Sequence, residues 1–181
     1  ASIVFFGAGG IGLGAILGAH LAGAYPIVAI DLHDHKLAKA REYGATHTFN
    51  SRSTEHLDDA IRAIVGNAGA DVVVDGTGQP TVIEQCYALT TNKGRTVLFG
   101  VMAHDKRVSL HTLPLHFGRV LIGSEGGGSL PSTDIPRFVR MMQANRFDPK
   151  GFVSHRLPLA DVNDGIARMR SGEVIHAMIH F

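Results

Sequence analysis

At 181 residues the chain has room for one full hydrophobic core, or for one domain with a small appendage. Its 45% hydrophobic content is that of a globular protein, and a formal charge of +1 with mixed signs offers no basic stripe, so neither nucleic acid nor a membrane is suggested as a partner. The single cysteine, Cys86, cannot make an internal disulfide and lies in an apolar helical pattern, which reads as a buried core thiol. Residues 1–6 carry no basic segment of the signal-peptide kind, and a reducing cytoplasm is the expected setting. The sequence starts inside its first strand, so it reads as an excised piece of something longer.

Ile3 to Phe6 form that strand, and Gly7-Ala8-Gly9-Gly10-Ile11-Gly12 follows at once. A strand running into G-x-G-x-x-G and then a small-residue helix is the context in which this glycine pattern signals dinucleotide binding. Each glycine has its own task. Gly7 permits the tight turn, Gly9 lets a pyrophosphate approach the backbone without meeting a Cβ, and Gly12 lets the helix lie close on the sheet. The amides of Gly10 and Ile11 open the helix, where orphan donors and the positive end of the macrodipole attract an anion.

The second strand, Ile27 to Ile30, is followed by Asp31, about twenty residues past the turn, the spacing of the acid that takes the adenosine ribose hydroxyls. A carboxylate there favours NAD over NADP, because it accepts two hydroxyl bonds and repels a 2′-phosphate. Lys36, one helical turn further on, reaches either the same ribose and its phosphate or only solvent. Gly14 and Gly18 also spell a small-residue membrane-dimer face, but the glycine turn, Pro26 and Asp31 interrupt the run where a span is continuous. Close helix-on-sheet packing is the expectation for both. A turn of this kind serving FAD or S-adenosylmethionine stays open at this point.

Asp34 to Tyr43 reads as a helix stopped by Gly44, Thr46 to Phe49 as a third strand, and Ser53 or Thr54 as the cap of a helix bearing Leu57, Ile61, Ile64 and Val65. Asp71 to Asp75 is a strand covered on both faces. The loop Gly76-Thr77-Gly78-Gln79-Pro80 lies at its carboxyl end, the edge at which open α/β sheets bind ligands, which makes Thr77 and Gly78 candidates. A helix over Thr81 to Leu89, a turn over Thr90 to Gly94 and a strand over Arg95 to Phe99 follow. Gly100 and Val101 either meet a nicotinamide carboxamide through their backbone or form an ordinary strand-end turn. Val108 to Leu110 and Val120 to Gly123 read as short strands, the second being the sixth of a doubly wound sheet ordered 3-2-1-4-5-6.

At Ser124-Glu125-Gly126-Gly127-Gly128-Ser129 the composition shifts, giving a Rossmann domain over residues 1–125 and a C-terminal α/β segment over 126–181. That segment reads as a helix bearing Ile135, Phe138, Val139 and Met142, with Thr133 or Asp134 near its cap and Pro136 in its first turn. A strand over Phe152 to Leu157, a helix over Leu159 to Arg170 and a closing strand over Val174 to Phe181 follow. Eleven histidines are present, and His33 with His35 and His176 with His180 are close in sequence, yet no third ligand stands at zinc spacing. No native metal site is expected.

The glycine turn with Asp31, and the stretches VFFGAGGIGLGAILGAHLAGA, EYGATHTFNS, ADVVVDGTGQ and LADVNDGIARMRSGEVIHAMIHF, together resemble the medium-chain, zinc-type alcohol dehydrogenases over essentially the whole chain. The resemblance implies a hydride transfer between a small alcohol or aldehyde and the nicotinamide of NAD, with zinc held by a separate N-terminal domain that this chain lacks. It also implies a homo-oligomer in which the sixth strand pairs edge to edge with its mate, and a C-terminal segment whose Phe138, Met142, Val162 or Ile166 is left apolar and exposed or is covered by a second copy. Two positions depart from the family pattern. His176 stands where an arginine commonly contacts the cofactor pyrophosphate, and Glu125 stands where an uncharged residue is usual, so Glu125 is expected to be exposed, paired or protonated. The competing reading is a non-catalytic dinucleotide-binding module, because fold alone does not fix function.

Overall fold

The computed structural model describes residues 1–181, which divide into two compact units, Ala1–Ser124 and Glu125–Phe181. In the first unit β1 (Ile3–Phe6), α1 (Gly10–Leu21), β2 (Ile27–Asp31), α2 (Asp34–Glu42), β3 (His47–Asn50), α3 (Leu57–Val65), β4 (Ala70–Asp75), α4 (Pro80–Leu89), β5 (Thr90–Leu98) and β6 (Val120–Gly123) alternate strand with helix up to β5. The strands form one six-stranded parallel sheet in the order β3-β2-β1-β4-β5-β6, as the pattern predicts. Strand order reverses between β1 and β4, so the carboxyl ends of these two strands flank the crevice where ligands enter such sheets.

Side chains alternate across the sheet and so build two apolar layers. Val4, Phe6, Val28, Ile30 and Val73 share one layer with Ile61 of α3 and with Cys86 and Leu89 of α4. Leu13 and Ile16 of α1 and Leu37 of α2 are buried on the other side, where these helices pack on β1 and β2. The Cys86 thiol is free and buried, and burial, reinforced by the nearby Asp75 charge, raises its pKa well above the ordinary thiol range. It stays protonated and acts as a small apolar side chain.

Local expectations differ from the structure at four places in this unit. Val108–Leu110 forms no strand; instead the Ser109 amide donates to the Glu84 carboxylate (2.7 Å) and the Tyr87 hydroxyl donates to the His111 carbonyl (3.1 Å), so side chains of α4 replace a ladder. The helix α3 starts at Leu57 after His56 in the left-handed region (φ 50°), too far on to be capped by Ser53 or Thr54, whose amides close a turn on the Asn50 carbonyl. Thr90 to Gly94 is taken into β5 as an irregularity in its pairing with β4, where Ala70 faces Thr90 but Val72 faces Arg95. Gly14 and Gly18 lie on the exposed face of α1, and nothing lies within 4 Å of a Cβ added at either, so they do not mediate close packing on the sheet.

In the second unit α5 (Pro131–Gln143) is followed by β7 (His155–Pro158), α6 (Val162–Arg170) and β8 (Ala177–His180), with β7 and β8 paired in parallel. α5 starts two to three residues earlier than its expected cap, with Pro131 at its first position, which moves Pro136 out of the first turn. Gly165 allows α6 to close on β7, since a Cβ there would stand 2.6 Å from Leu157 Cδ1. Phe138 and Ile166 are 48% and 43% exposed, whereas Met142 and Val162 are half-buried, and Glu125 is exposed. No helix of either unit is long and apolar enough to cross a membrane.

Candidate functional site

The turn between β1 and α1 is fixed from three directions. Gly7 sits at φ 102°, which only glycine adopts without strain, and its amide donates to the Ile30 carbonyl of β2 (2.8 Å). The Ala8 amide donates to Asp31 Oδ2 (2.8 Å), and the His33 amide donates to Asp31 Oδ1 (3.0 Å). Asp31 therefore holds the turn while each of its oxygens keeps further acceptor capacity. The first ladder bond of α1 runs from the Leu13 amide to the Gly9 carbonyl (2.8 Å), so the amides of Gly10, Ile11 and Gly12 have no acceptor within the helix.

A cleft of about 350 Å³ opens in front of these amides, lined by the Gly7–Gly12 turn on one side and by Gly76, Phe99, Gly100 and Val101 on the other. Sites for small organic ligands run to about 300–1,000 Å³. The volume of this cleft falls within that range. No lysine or arginine lines it, so an anion would be met by backbone amides and the α1 dipole. The space near Gly9 is open, with nothing within 4 Å of an added Cβ, whereas a Cβ on Gly12 would collide with the Gly7 carbonyl oxygen.

Of the candidate residues, Gly7, Gly9, Gly10, Ile11, Gly12, Gly100 and Val101 are brought together in the cleft, and Asp31 adjoins it through Ala8. Thr77 and Gly78 stand behind the second wall rather than in the lining, and Lys36 is half-buried on α2. His176 belongs to the second unit. Its carbonyl accepts from the Ser154 hydroxyl (2.9 Å), and its ring meets that of Phe152 edge-on at 6.4 Å. Gly76 and Phe99 complete the wall and were not singled out from sequence. Gly76 was legible in Asp75-Gly76-Thr77-Gly78, whereas Phe99 carries no local signal beyond its place at a strand end.

Beyond Asp31 the His33 and His35 rings lie 5.5 Å apart. Partial burial lowers the His33 pKa below its ordinary 6.5, the positive charges of Lys36, Arg52 and His35 act in the same direction, and only Asp31 opposes them. The imidazole is therefore neutral at pH 7. Because the unfolded chain protonates His33 first as pH falls, its contribution to stability is full above about 6.5 and declines as pH drops towards the lower folded value. A histidine-resolved NMR titration is expected to place its midpoint below 6.5; a midpoint at or above that value would contradict the assignment. No group of three or more His, Cys, Asp or Glu side chains is arranged to hold a metal ion.

The profile of a family described as zinc-binding dehydrogenase matches residues 10–144. The S-(hydroxymethyl)glutathione dehydrogenase of Paracoccus denitrificans is 32% identical over 99% of this chain and 49% of its own length. Alcohol dehydrogenase class-2 isozyme 2 of Oryctolagus cuniculus is 31% identical over 96% of this chain and 46% of its own. Among solved structures, an alcohol dehydrogenase zinc-binding domain protein from Burkholderia ambifaria superposes with a TM-score of 0.91 at 32% identity, covering 100% of this chain and 48% of that one. The chain thus spans about half the length of the curated relatives it matches.

Proposed function

This chain belongs to the zinc-binding dehydrogenase family, and on that premise we propose that it is the NAD(H)-binding portion of a zinc-dependent alcohol dehydrogenase. The observation that carries the reading is the cleft in which three unpaired helix amides and an open Gly9 converge, with the Asp31 carboxylate adjoining it through the Ala8 amide. In this reading Gly9, Gly10, Ile11 and Gly12 hold the pyrophosphate, and the spare acceptor capacity of Asp31 takes the adenosine ribose hydroxyls, with Lys36 beside them. Gly100 and Val101 present backbone groups to the nicotinamide carboxamide, and Thr77 and Gly78 support them.

When bound, the cofactor supplies the hydride acceptor or donor. The residues of this chain bind it, orient it and keep water from one side of it. Zinc and the pocket for a small alcohol or aldehyde belong, in this reading, to an N-terminal domain outside the sequence, to which residues 126–181 would add in the whole enzyme. The half-exposed Phe138 and Ile166 would be covered there or by a second copy. A homo-oligomer fits the exposed edge of β6, where Val120 and Ile122 are 38% and 49% exposed on a strand paired on one side only. A cytoplasmic location suits a protein whose single thiol is free and buried.

Calorimetric titration of the 181-residue chain with NADH and NADPH tests the reading. Tighter binding of NADH is the expected result, and binding of neither refutes it. A second reading, a non-catalytic dinucleotide-binding module, has one observation in its favour: the cleft lining contributes no acid, base or nucleophile. Joining the chain to a Cys/His-bearing N-terminal domain and assaying alcohol-dependent NADH formation separates the two.

A further inference from the structure

Asp75, the last residue of β4, is fully buried and none of the roles above uses it. Both of its carboxylate oxygens act as acceptors. Oδ1 receives the Thr77 amide (2.9 Å) and the Thr77 hydroxyl (2.7 Å), and Oδ2 receives the Gly78 amide (3.0 Å). Its main-chain carbonyl meanwhile accepts from the amides of Phe99 and Gly100, each at 3.0 Å. One residue thus bonds the loop after β4 with its side chain and the loop after β5 with its backbone.

The two loops are also interlocked sterically. A Cβ on Gly100 would come within 2.8 Å of Asp75 Oδ2 and 2.7 Å of the Thr77 nitrogen. Gly78, at φ 67°, leaves no room for a Cβ against the Val101 carbonyl. Together these contacts set the wall of Gly76, Phe99, Gly100 and Val101 that faces the glycine turn across the cleft. Burying a carboxylate is costly, and the apolar side chains that fill the rest of β4 would hold the strand without it. What it adds is direction: its acceptors turn the Thr77 and Gly78 amides inward and hold the loop that carries Gly100 and Val101 at a fixed distance from α1.

We propose that Asp75 is a positioning residue for the nicotinamide end of the cofactor, acting through the Thr77–Gly78 and Gly100–Val101 backbone and touching no ligand itself. The proposal rests on the dinucleotide reading of the cleft. It makes the two ends of the cofactor separable, since Asp31 and the α1 amides, which serve the adenosine and pyrophosphate groups, share no hydrogen bond with Asp75.

The test compares ADP-ribose, which lacks the nicotinamide, with NADH on the 181-residue chain. Asp75→Asn keeps the side-chain shape but turns an N–H group against the Gly78 amide. It is expected to bind ADP-ribose within about twofold of wild type and NADH about tenfold more weakly, with a smaller blue shift of bound NADH fluorescence. Thr77→Val, which removes the hydroxyl that donates to Asp75 Oδ1 and accepts from the Gln79 amide (3.1 Å), is expected to show the same selectivity at about threefold, and it decides the matter should Asp75→Asn fail to fold. Equal losses for both ligands would reduce Asp75 to a structural role, and unchanged NADH binding would remove the role altogether; either overturns the proposal. Wild-type protein that binds neither ligand overturns the functional reading itself, a result distinct from both.

Discussion

Gly9→Ala is expected to leave the melting temperature of the protein unchanged while weakening NADH binding by about tenfold to a hundredfold, whereas Gly12→Ala is expected to lower both. The two substitutions add the same methyl group to the same turn, and they differ in what it meets. At Gly9 the backbone is extended and nothing lies within 4 Å of the new Cβ, so the fold has no reason to respond. The methyl group occupies the place where an anion would approach the amides of α1, and the loss of one hydrogen bond to a charged group, worth about 1.5–3 kcal/mol, sets the magnitude. At Gly12 the methyl group is driven into the Gly7 carbonyl, a backbone atom with no rotamer to change. Overpacking of that kind costs about 1–3 kcal/mol, which for a chain of this size lowers the melting temperature by about 2–12 °C. Thermal melts and calorimetry on the two variants separate the glycine reserved for the ligand from the one reserved for the helix. Equal melting temperatures for both variants would contradict the assignment.

Asp31→Ala is expected to weaken NADH binding by about a hundredfold or more and to erase discrimination against NADPH. A carboxylate loses two hydroxyl bonds of about 1.5–3 kcal/mol each on truncation. It also ceases to repel a 2′-phosphate, a penalty of about 4 kcal/mol per unit charge at 4 Å and an effective dielectric of 20. In addition, the Ala8 and His33 amides lose their acceptor, so the turn itself loosens. The ratio of the NADH and NADPH dissociation constants distinguishes the effects, because a loosened turn weakens both cofactors alike and a removed charge favours NADPH alone. A variant that still prefers NADH to the wild-type extent would show that discrimination lies elsewhere, with Lys36 and the His33–His35 pair the nearest candidates.

What could be read in advance follows from how local each determinant is. The sheet order, the glycine turn and Asp31 were legible because alternating strand and helix patterns leave few topologies, and because each of those residues acts within a stretch of about thirty. Asp75 was passed over for the opposite reason. A carboxylate at a strand end is an ordinary sight, and its meaning depends on the loop after Leu98 coming back to meet it. Val108–Leu110 was misjudged because its apolar alternation suits a strand, while the polar groups that hold the segment, Glu84 and Tyr87, lie on a helix some twenty residues earlier. The cap of α3 differs similarly, since the helix begins only at Leu57, beyond a turn in which the Ser53 and Thr54 amides close on the Asn50 carbonyl. For Gly14 and Gly18, spacing alone could not say which face of α1 they occupy.

The pairing of β1 with β4 gives the anion-binding turn a history as well as a place. Every glycine of that turn lies within the first twelve residues, yet the strand that precedes it is held on one side by residues 72–75, and the Gly76 amide closes on the Phe6 carbonyl at 2.8 Å. A nascent chain emerging from a ribosome therefore displays the complete fingerprint long before it owns the site. The turn gains its second flank only with the fourth strand, and the far wall of the cleft only with the Phe99–Val101 segment that follows β5. The feature most easily recognised in the sequence depends on partners that lie far beyond it along the chain, at Gly76 and at Phe99 to Val101.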